Sequence, residues 1–169
     1  KKIIDGRTID SGDVVLGLAS SGPHSNGYSL IRKLFSKEEL KKDINLFLKP
    51  TTLYVMPLLD VIKKYKVKGI VNITGGGLYE NIPRVLPKNK KVLIKRNSWD
   101  LPKVFQIIKQ KTVLSERELH TTFNMGIGMV LIMKKDQAIK TKQYLEKKYK
   151  QKSWIIGEVK SGKACEELV

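Results

Sequence analysis

One cysteine in 169 residues, Cys165, means that no disulfide can close within this chain. Cys165 lies far in sequence from either histidine, so the plain expectation is a small side chain in a mobile tail and a reducing, cytoplasmic compartment. No apolar run approaches the roughly 20 residues that a membrane helix requires. The start, Lys1-Lys2-Ile3-Ile4-Asp5-Gly6-Arg7, has neither the apolar stretch nor the small-residue cleavage site of a secretory signal. Internal repeats and low-complexity tracts are absent, as are a G-x-S-x-G elbow and a G-x-x-x-x-G-K-[ST] phosphate loop. His, Cys and carboxylates nowhere recur at metal-ligand spacing, so no metal site is expected. Acidic residues are scarce, 16 against 33 Lys and Arg, which leaves a net charge of +17. That balance invites a nucleic-acid reading, but the lysines are dispersed in pairs such as Lys63-Lys64, Lys90-Lys91, Lys134-Lys135 and Lys147-Lys148 without interleaved aromatics. Solvated faces account for most of them, and a few near glycine loops can steer an anionic substrate.

Glycine is concentrated where it matters. Asp13 to Ala19 is a β-branched apolar run, the pattern of a buried strand, and it ends at Ser20-Ser21-Gly22-Pro23. Beyond His24, Ser25 and Asn26 are N-cap types and Tyr28, Ile31, Leu34 and Phe35 recur at helical spacing, which predicts a helix from about Asn26 whose first amides attract anions. Gly69 to Thr74 reads as a second strand followed at once by Gly75-Gly76-Gly77, where amides can converge on an anion without Cβ obstruction; the plainer reading is a tight turn. Leu78, Ile82 and Val85 or Leu86 then mark a short helix carrying Glu80, Asn81 and Arg84, the last with a planar fork of donors. A third stretch, Thr122 to Val130, holds Asn124, Gly126 and Gly128; its glycines enter a strand instead of leaving one, so close backbone approach fits better than a dinucleotide fingerprint.

The remaining segments read as scaffold. Pro57 suits a helix start, with Leu58, Leu59, Ile62 and Tyr65 continuing its buried side. Val92-Leu93-Ile94 forms a strand core, Pro102 opens a helix with Val104, Phe105 and Ile108 on one face, and Ser115 with Glu118 fits a capping box for a helix from about Glu116 to Phe123. Ile127 to Met133 is a strand; Asp136 is a candidate cap for a helix with Ile139, Leu145 and Tyr149 on one side; Trp154 to Val159 closes the sheet. About five strands with helices between most of them predict a layered domain covered on both faces. His24, in a Ser/Gly/Asn-rich turn, is a candidate to face a ligand or to orient the loop, whereas His120 reads as structural or solvent-facing.

Together GPHSNGYSL, GGGLYENIPR and FNMGIGM resemble the C-terminal half of aminoimidazole ribonucleotide synthetase, the phosphoribosylformylglycinamidine cyclo-ligase family of purine biosynthesis. The resemblance runs from Ile3-Ile4-Asp5-Gly6 to Ile156-Gly157-Glu158-Val159. It implies an α+β class, a layered α/β/α domain with a mixed sheet over residues 13–169, entered by a linker at 1–12, with the family's N-terminal ATP-binding domain absent from this chain. Formylglycinamidine ribonucleotide synthetase and selenophosphate synthetase share that fold and are the related alternatives; a non-enzymatic module for anions or RNA is the alternative of another class.

In the family, ATP activates the formyl-amide oxygen of formylglycinamidine ribonucleotide, the amidine nitrogen attacks, and phosphate leaves as the imidazole ring closes. The resemblance therefore implies ATP and Mg held mainly by the other domain, a homodimer of the full-length enzyme, and no specific nucleic acid or membrane partner. It assigns Ser20, Ser21, Gly22, Ser25, Asn26, Gly75, Gly76, Gly77, Glu80, Asn81 and Arg84 to one wall of the substrate cleft, with Asn124 and Gly126 beside them and His24 as the catalytic candidate. Two departures stand out: Thr52 occupies a position where the family often has arginine, and the stretch between Phe35 and Lys49 is short and lysine-rich.

Overall fold

In the computed structural model, which describes residues 3–168, the apolar run after Asp13 becomes β1 (Val14–Ala19), with an antiparallel neighbour on each side. Those neighbours are β4 (Ile127–Met133) and β5 (Ser153–Ser161). β2 (Gly69–Asn72) pairs with β4 and β3 (Lys90–Ile94) with β5, again antiparallel, and β6 (Glu166–Leu168) lies parallel to β3. The order is β2-β4-β1-β5-β3-β6, so the sheet is mixed by virtue of its last pair. β6 escapes a pattern search because it has three residues and no apolar run.

Alternation along β1 sends side chains to opposite faces. Val14, Leu16 and Leu18 join Val61 of α4 (Val55–Lys64) and Ala138 and Leu145 of α8 (Lys135–Tyr149). Val15 joins Val71, Val92, Ile94, Val130 and Ile132 under Leu78 of α5 (Gly77–Asn81) and Ile82 of the 3-10 turn Ile82–Val85. A third cluster is built by Ile31 of α1 (Tyr28–Leu34), Phe47 of α3 (Ile44–Phe47), Phe105 of α6 (Lys103–Lys111) and Leu119 of α7 (Glu116–Thr122). Between α1 and α3 runs α2 (Lys37–Lys42). This is the layered α+β arrangement expected.

Helix ends and buried faces follow local chemistry, with corrections at α1, α8 and α4. Ser115 and Glu118 form the expected capping box of α7, and Ser36 with Glu39 forms another at α2. α1, however, starts at Tyr28 after Gly27 in the left-handed region (φ 81°), with no side-chain cap, so neither Ser25 nor Asn26 caps it. α8 is preceded by Lys134; Asp136 sits inside the first turn, where it complements the helix dipole. The buried stripe of α8 is Ala138, Thr141 and Leu145, while Ile139 is exposed. On α4 only Pro57 and Val61 are fully buried; Leu59 and Ile62 remain exposed, because the helix carries more apolar positions than one face can hide.

Two polar ties hold the layers. Lys68 Nζ donates to both carboxylate oxygens of Asp13 at 2.7 and 2.6 Å, and both residues are buried, so loss of either partner strands a charge. Asp60 on α4 accepts hydrogen bonds from Tyr144 (3.1 Å), Tyr149 (2.5 Å) and Lys148 on α8. The entry segment packs with the domain: Ile9 belongs to the core and the Gly12 amide donates to Val159 O at 3.0 Å.

His120 is buried, edge-on to Trp99 at 6.2 Å between ring centroids, which corrects the solvent-facing option for it. Burial pushes its pKa down to about 4; Glu116 opposes this, and Arg96 and Lys109 add to it. As pH falls below about 6.5 the unfolded chain takes up this proton first, so His120's contribution is intact above that pH and is lost progressively toward pH 4. Denaturant titrations of wild type and His120→Phe between pH 7.5 and 4 should diverge, wild type losing about 3 kcal/mol more than the variant. Parallel pH profiles would refute the assignment.

Candidate functional site

Antiparallel pairing brings the end of β1, the end of β2 and the start of β4 to one end of the sheet, since Ala19 pairs with Ile127 and Asn72 with Met129. The three glycine-rich stretches therefore meet. Asn124 is the knot of the first and third: its Oδ1 accepts from Ser20 Oγ and from the Gly126 amide, both at 2.9 Å, and its Nδ2 donates to Gly22 O at 2.8 Å. The Ser20 amide donates to Gly126 O at 2.9 Å. With Asn124 buried, each of these bonds is shielded from water, and its loss would leave unsatisfied groups.

His24 holds the first loop from within. Its Nε2 accepts from the Ser21 amide at 3.3 Å and from the Thr52 amide at 3.5 Å, while Ser21 Oγ donates to Pro50 O at 2.6 Å. A ring that accepts at Nε2 is neutral and carries its proton on Nδ1; burial agrees, pushing its pKa below the ordinary histidine value. His24 also takes a left-handed backbone (φ 57°), a conformation that costs a non-glycine residue energy and persists only where its surroundings hold it. Tyr54, just before α4, lies beside this ring at 6.1 Å and donates its hydroxyl to Ala19 O at 2.7 Å. Burial pushes that phenol up to about 12, so it stays a neutral donor. An aromatic residue following Pro50-Thr51-Thr52 was the available signal.

The second stretch is folded on itself by Asn81. Its Nδ2 donates to Gly75 O at 3.0 Å and Gly77 O at 2.7 Å, and its Oδ1 accepts from Thr74 Oγ1 at 3.3 Å. The Gly77 amide donates to Thr74 O at 3.0 Å, so it serves the turn. Gly76 and Gly77 are both left-handed (φ 91° and 56°), and a Cβ on Gly77 would overlap the carbonyl oxygen of His120. The tight-turn reading thus accounts for these two. Gly75 is exposed and faces Asn26, whose Oδ1 lies 3.7 Å from where a Cβ would stand. Glu80 folds over Gly76, while Ser25, Glu80 and Arg84 are exposed.

Of the residues predicted from sequence, Ser20, Gly22, Asn124 and Gly126 form one hydrogen-bonded unit, His24 and Ser21 brace it, and Asn26 touches the Gly75 turn. Asn81 is a buried staple. Ser25, Gly75 and Glu80 are the exposed members on these loops, and Arg84 is exposed on the Ile82–Val85 turn that follows α5. Among the described residues, no three of His, Cys, Asp and Glu come together as a group that could hold a metal ion. Nor is any helix long and apolar enough to cross a membrane among the described residues.

The phosphoribosylformylglycinamidine cyclo-ligase of Caldicellulosiruptor bescii is 44% identical over 96% of this chain and 51% of its own length. That of Cupriavidus pinatubonensis is 47% identical over 95% of this chain and 48% of its own length. The chain spans about half the length of the curated relatives it matches. Among solved structures, the Escherichia coli hydrogenase maturation protein HypE superposes with a TM-score of 0.66 at 19% identity, over 96% of this chain and 48% of that one, a likeness of fold alone. The family described as AIR synthase related protein, C-terminal domain, matches residues 10–168, nearly all of the chain, and it is to this family that the chain belongs.

Proposed function

We propose that this chain is the C-terminal half of a phosphoribosylformylglycinamidine cyclo-ligase and builds one wall of the cleft for formylglycinamidine ribonucleotide. The observation that carries the reading is the meeting of all three glycine-rich stretches at one end of the sheet, with Ser25, Gly75 and Glu80 left exposed on their loops. The cyclo-ligase names of the relatives, with 44% and 47% identity, support it over the synthetase, selenophosphate and RNA-binding alternatives.

In this reading Arg84 offers its guanidinium fork to the substrate phosphate. Gly75 admits the ligand close to the backbone beside Asn26. The unit knotted by Asn124 keeps the wall rigid, and His24 positions the first loop through its two amide bonds; a direct role for His24 would fall to its remaining nitrogen. ATP supplies the activation of the formyl-amide oxygen. The family resemblance puts ATP and Mg mainly in the companion half of the polypeptide, and no step in this half is routed through them. The full-length enzyme is a homodimer in this reading, and the single cysteine suits a cytoplasmic reaction.

The test joins the non-matching half of the Caldicellulosiruptor bescii relative ahead of residue 1 and follows ADP release dependent on formylglycinamidine ribonucleotide. The chain alone should give no turnover and the joined protein should; ring closure by the chain alone, or none by a well-folded joined protein, would sink the reading. In the joined protein, Arg84→Ala should raise the KM for the ribonucleotide more than tenfold, by roughly 1.4 kcal/mol or more of lost binding, without changing Tm. His24→Ala should lower stability by about 1–3 kcal/mol, the cost of two stranded amides, with turnover per folded molecule nearly kept. A hundredfold loss of turnover at unchanged Tm would instead make His24 part of the reacting complex.

A further inference from the structure

α4 carries two apolar stripes. One, with Pro57, Leu58 and Val61, packs into the cluster beneath α8. The other, Val55, Met56, Leu59 and Ile62, recurs at helical spacing and faces outward; with Leu53 just before the helix, its members range from 39% exposed at Ile62 to 84% at Leu53. A helix that is apolar on both sides belongs between two bodies, whereas a surface helix shows one apolar stripe. At its C-terminal end the outer stripe runs into a cleft of about 570 Å³ lined by Ile3, Ile4, Ile62, Tyr65 and Val67. The surface is therefore continuous with the segment at residues 3–8.

We infer that this outer face of α4, with the adjoining cleft, is the docking surface for the companion N-terminal half of the same polypeptide. The inference rests on the proposed reading only in assuming that such a half exists. Three observations select this occupant. The chain belongs to a family described as a C-terminal domain and spans about half the length of its relatives, so those proteins contain a second body of equal size. Ile3 and Ile4, the described residues nearest in sequence to such an N-terminal half, already wall the cleft. A second copy of this chain is disfavoured by charge, because each copy brings a net +17 to the contact. Nucleic acid would call for basic residues along the whole face, whereas the stripe is apolar and the cleft adds only Lys66 and the Asp13-paired Lys68, with Asp5 beside them.

The test reads burial directly. In a Cys165→Ser background, Met56→Cys and Leu59→Cys are labelled with a maleimide, in the 169-residue chain and in the protein joined to the non-matching half of the Caldicellulosiruptor bescii relative. Val113→Cys, at a fully exposed position elsewhere, is the control. Labelling rates, read peptide by peptide, should fall at least tenfold at 56 and 59 on joining and change less than twofold at 113. Equal rates at 56 and 59 in the two proteins would overturn the inference, as would slow, concentration-dependent labelling of the 169-residue chain, which identifies a second copy as the occupant. Turnover of the joined proteins separates the two ideas. Activity with unprotected cysteines defeats the docking surface alone, and protection without activity defeats the cyclo-ligase reading alone.

Discussion

Absent β-carbons at a few positions let three loops occupy one small volume, and the candidate site depends on that steric fact. A side chain on Gly27 would collide with the ring of Phe123, one on Gly128 with Tyr54 and His24, and one on Gly77 with the backbone of His120. Each of these contacts joins one glycine-rich stretch to another or to its support. Backbone brought this close excludes water, so its polar groups need partners inside the protein. Asn124 and Asn81 supply them. Each amide side chain has donors at one atom and an acceptor at the other, which lets a single residue satisfy carbonyls and an amide or hydroxyl of two segments at once.

The division of labour that results differs from a simple reading of the motifs. Residues that look most like ligand binders by type, such as His24, Asn81 and Asn124, spend hydrogen bonds on the loops themselves. What they hold up is an exposed turn that includes Gly75 and Glu80. Rigidity of this kind benefits any site that must orient a flexible ligand, since the ordering cost is met on folding and not on binding.

Legibility in the sequence followed the physics of each element. Strands β1, β2, β4 and β5 were plain because β-branched runs bounded by glycine leave little ambiguity, and α7 was plain because Ser115 and Glu118 form a local motif. The start of α1 was misread because Ser25 and Asn26 are cap types by composition, while the actual turn is set by the left-handed backbone of Gly27, which depends on its packing under Phe123. β6 was missed because its ordering comes from pairing with β3 and not from its own residues. The glycines of the second stretch announced a special backbone, but not which amides would be turned inward; that depends on Asn81 and on the approach of α7. The family resemblance came through clearly because its motifs are contiguous in the chain, whereas the contacts among them are not.

β1 also sets the order in which this molecule can be assembled. It is the innermost strand, yet both of its partners, β4 and β5, come from the far end of the chain, with Val14 opposite Met133 on one side and Glu158 on the other. Topologies built on such distant pairings fold slowly, because chain closure is paid for before the contacts that reward it. During synthesis β1 emerges before both partners and must wait, apolar and unpaired, until β4 and β5 have been made. The glycine at its midpoint, Gly17, and the lysines that crowd the following segments then acquire a second significance: a strand interrupted by glycine and trailed by positive charge is a poorer template for another nascent chain than its composition of valine and leucine suggests.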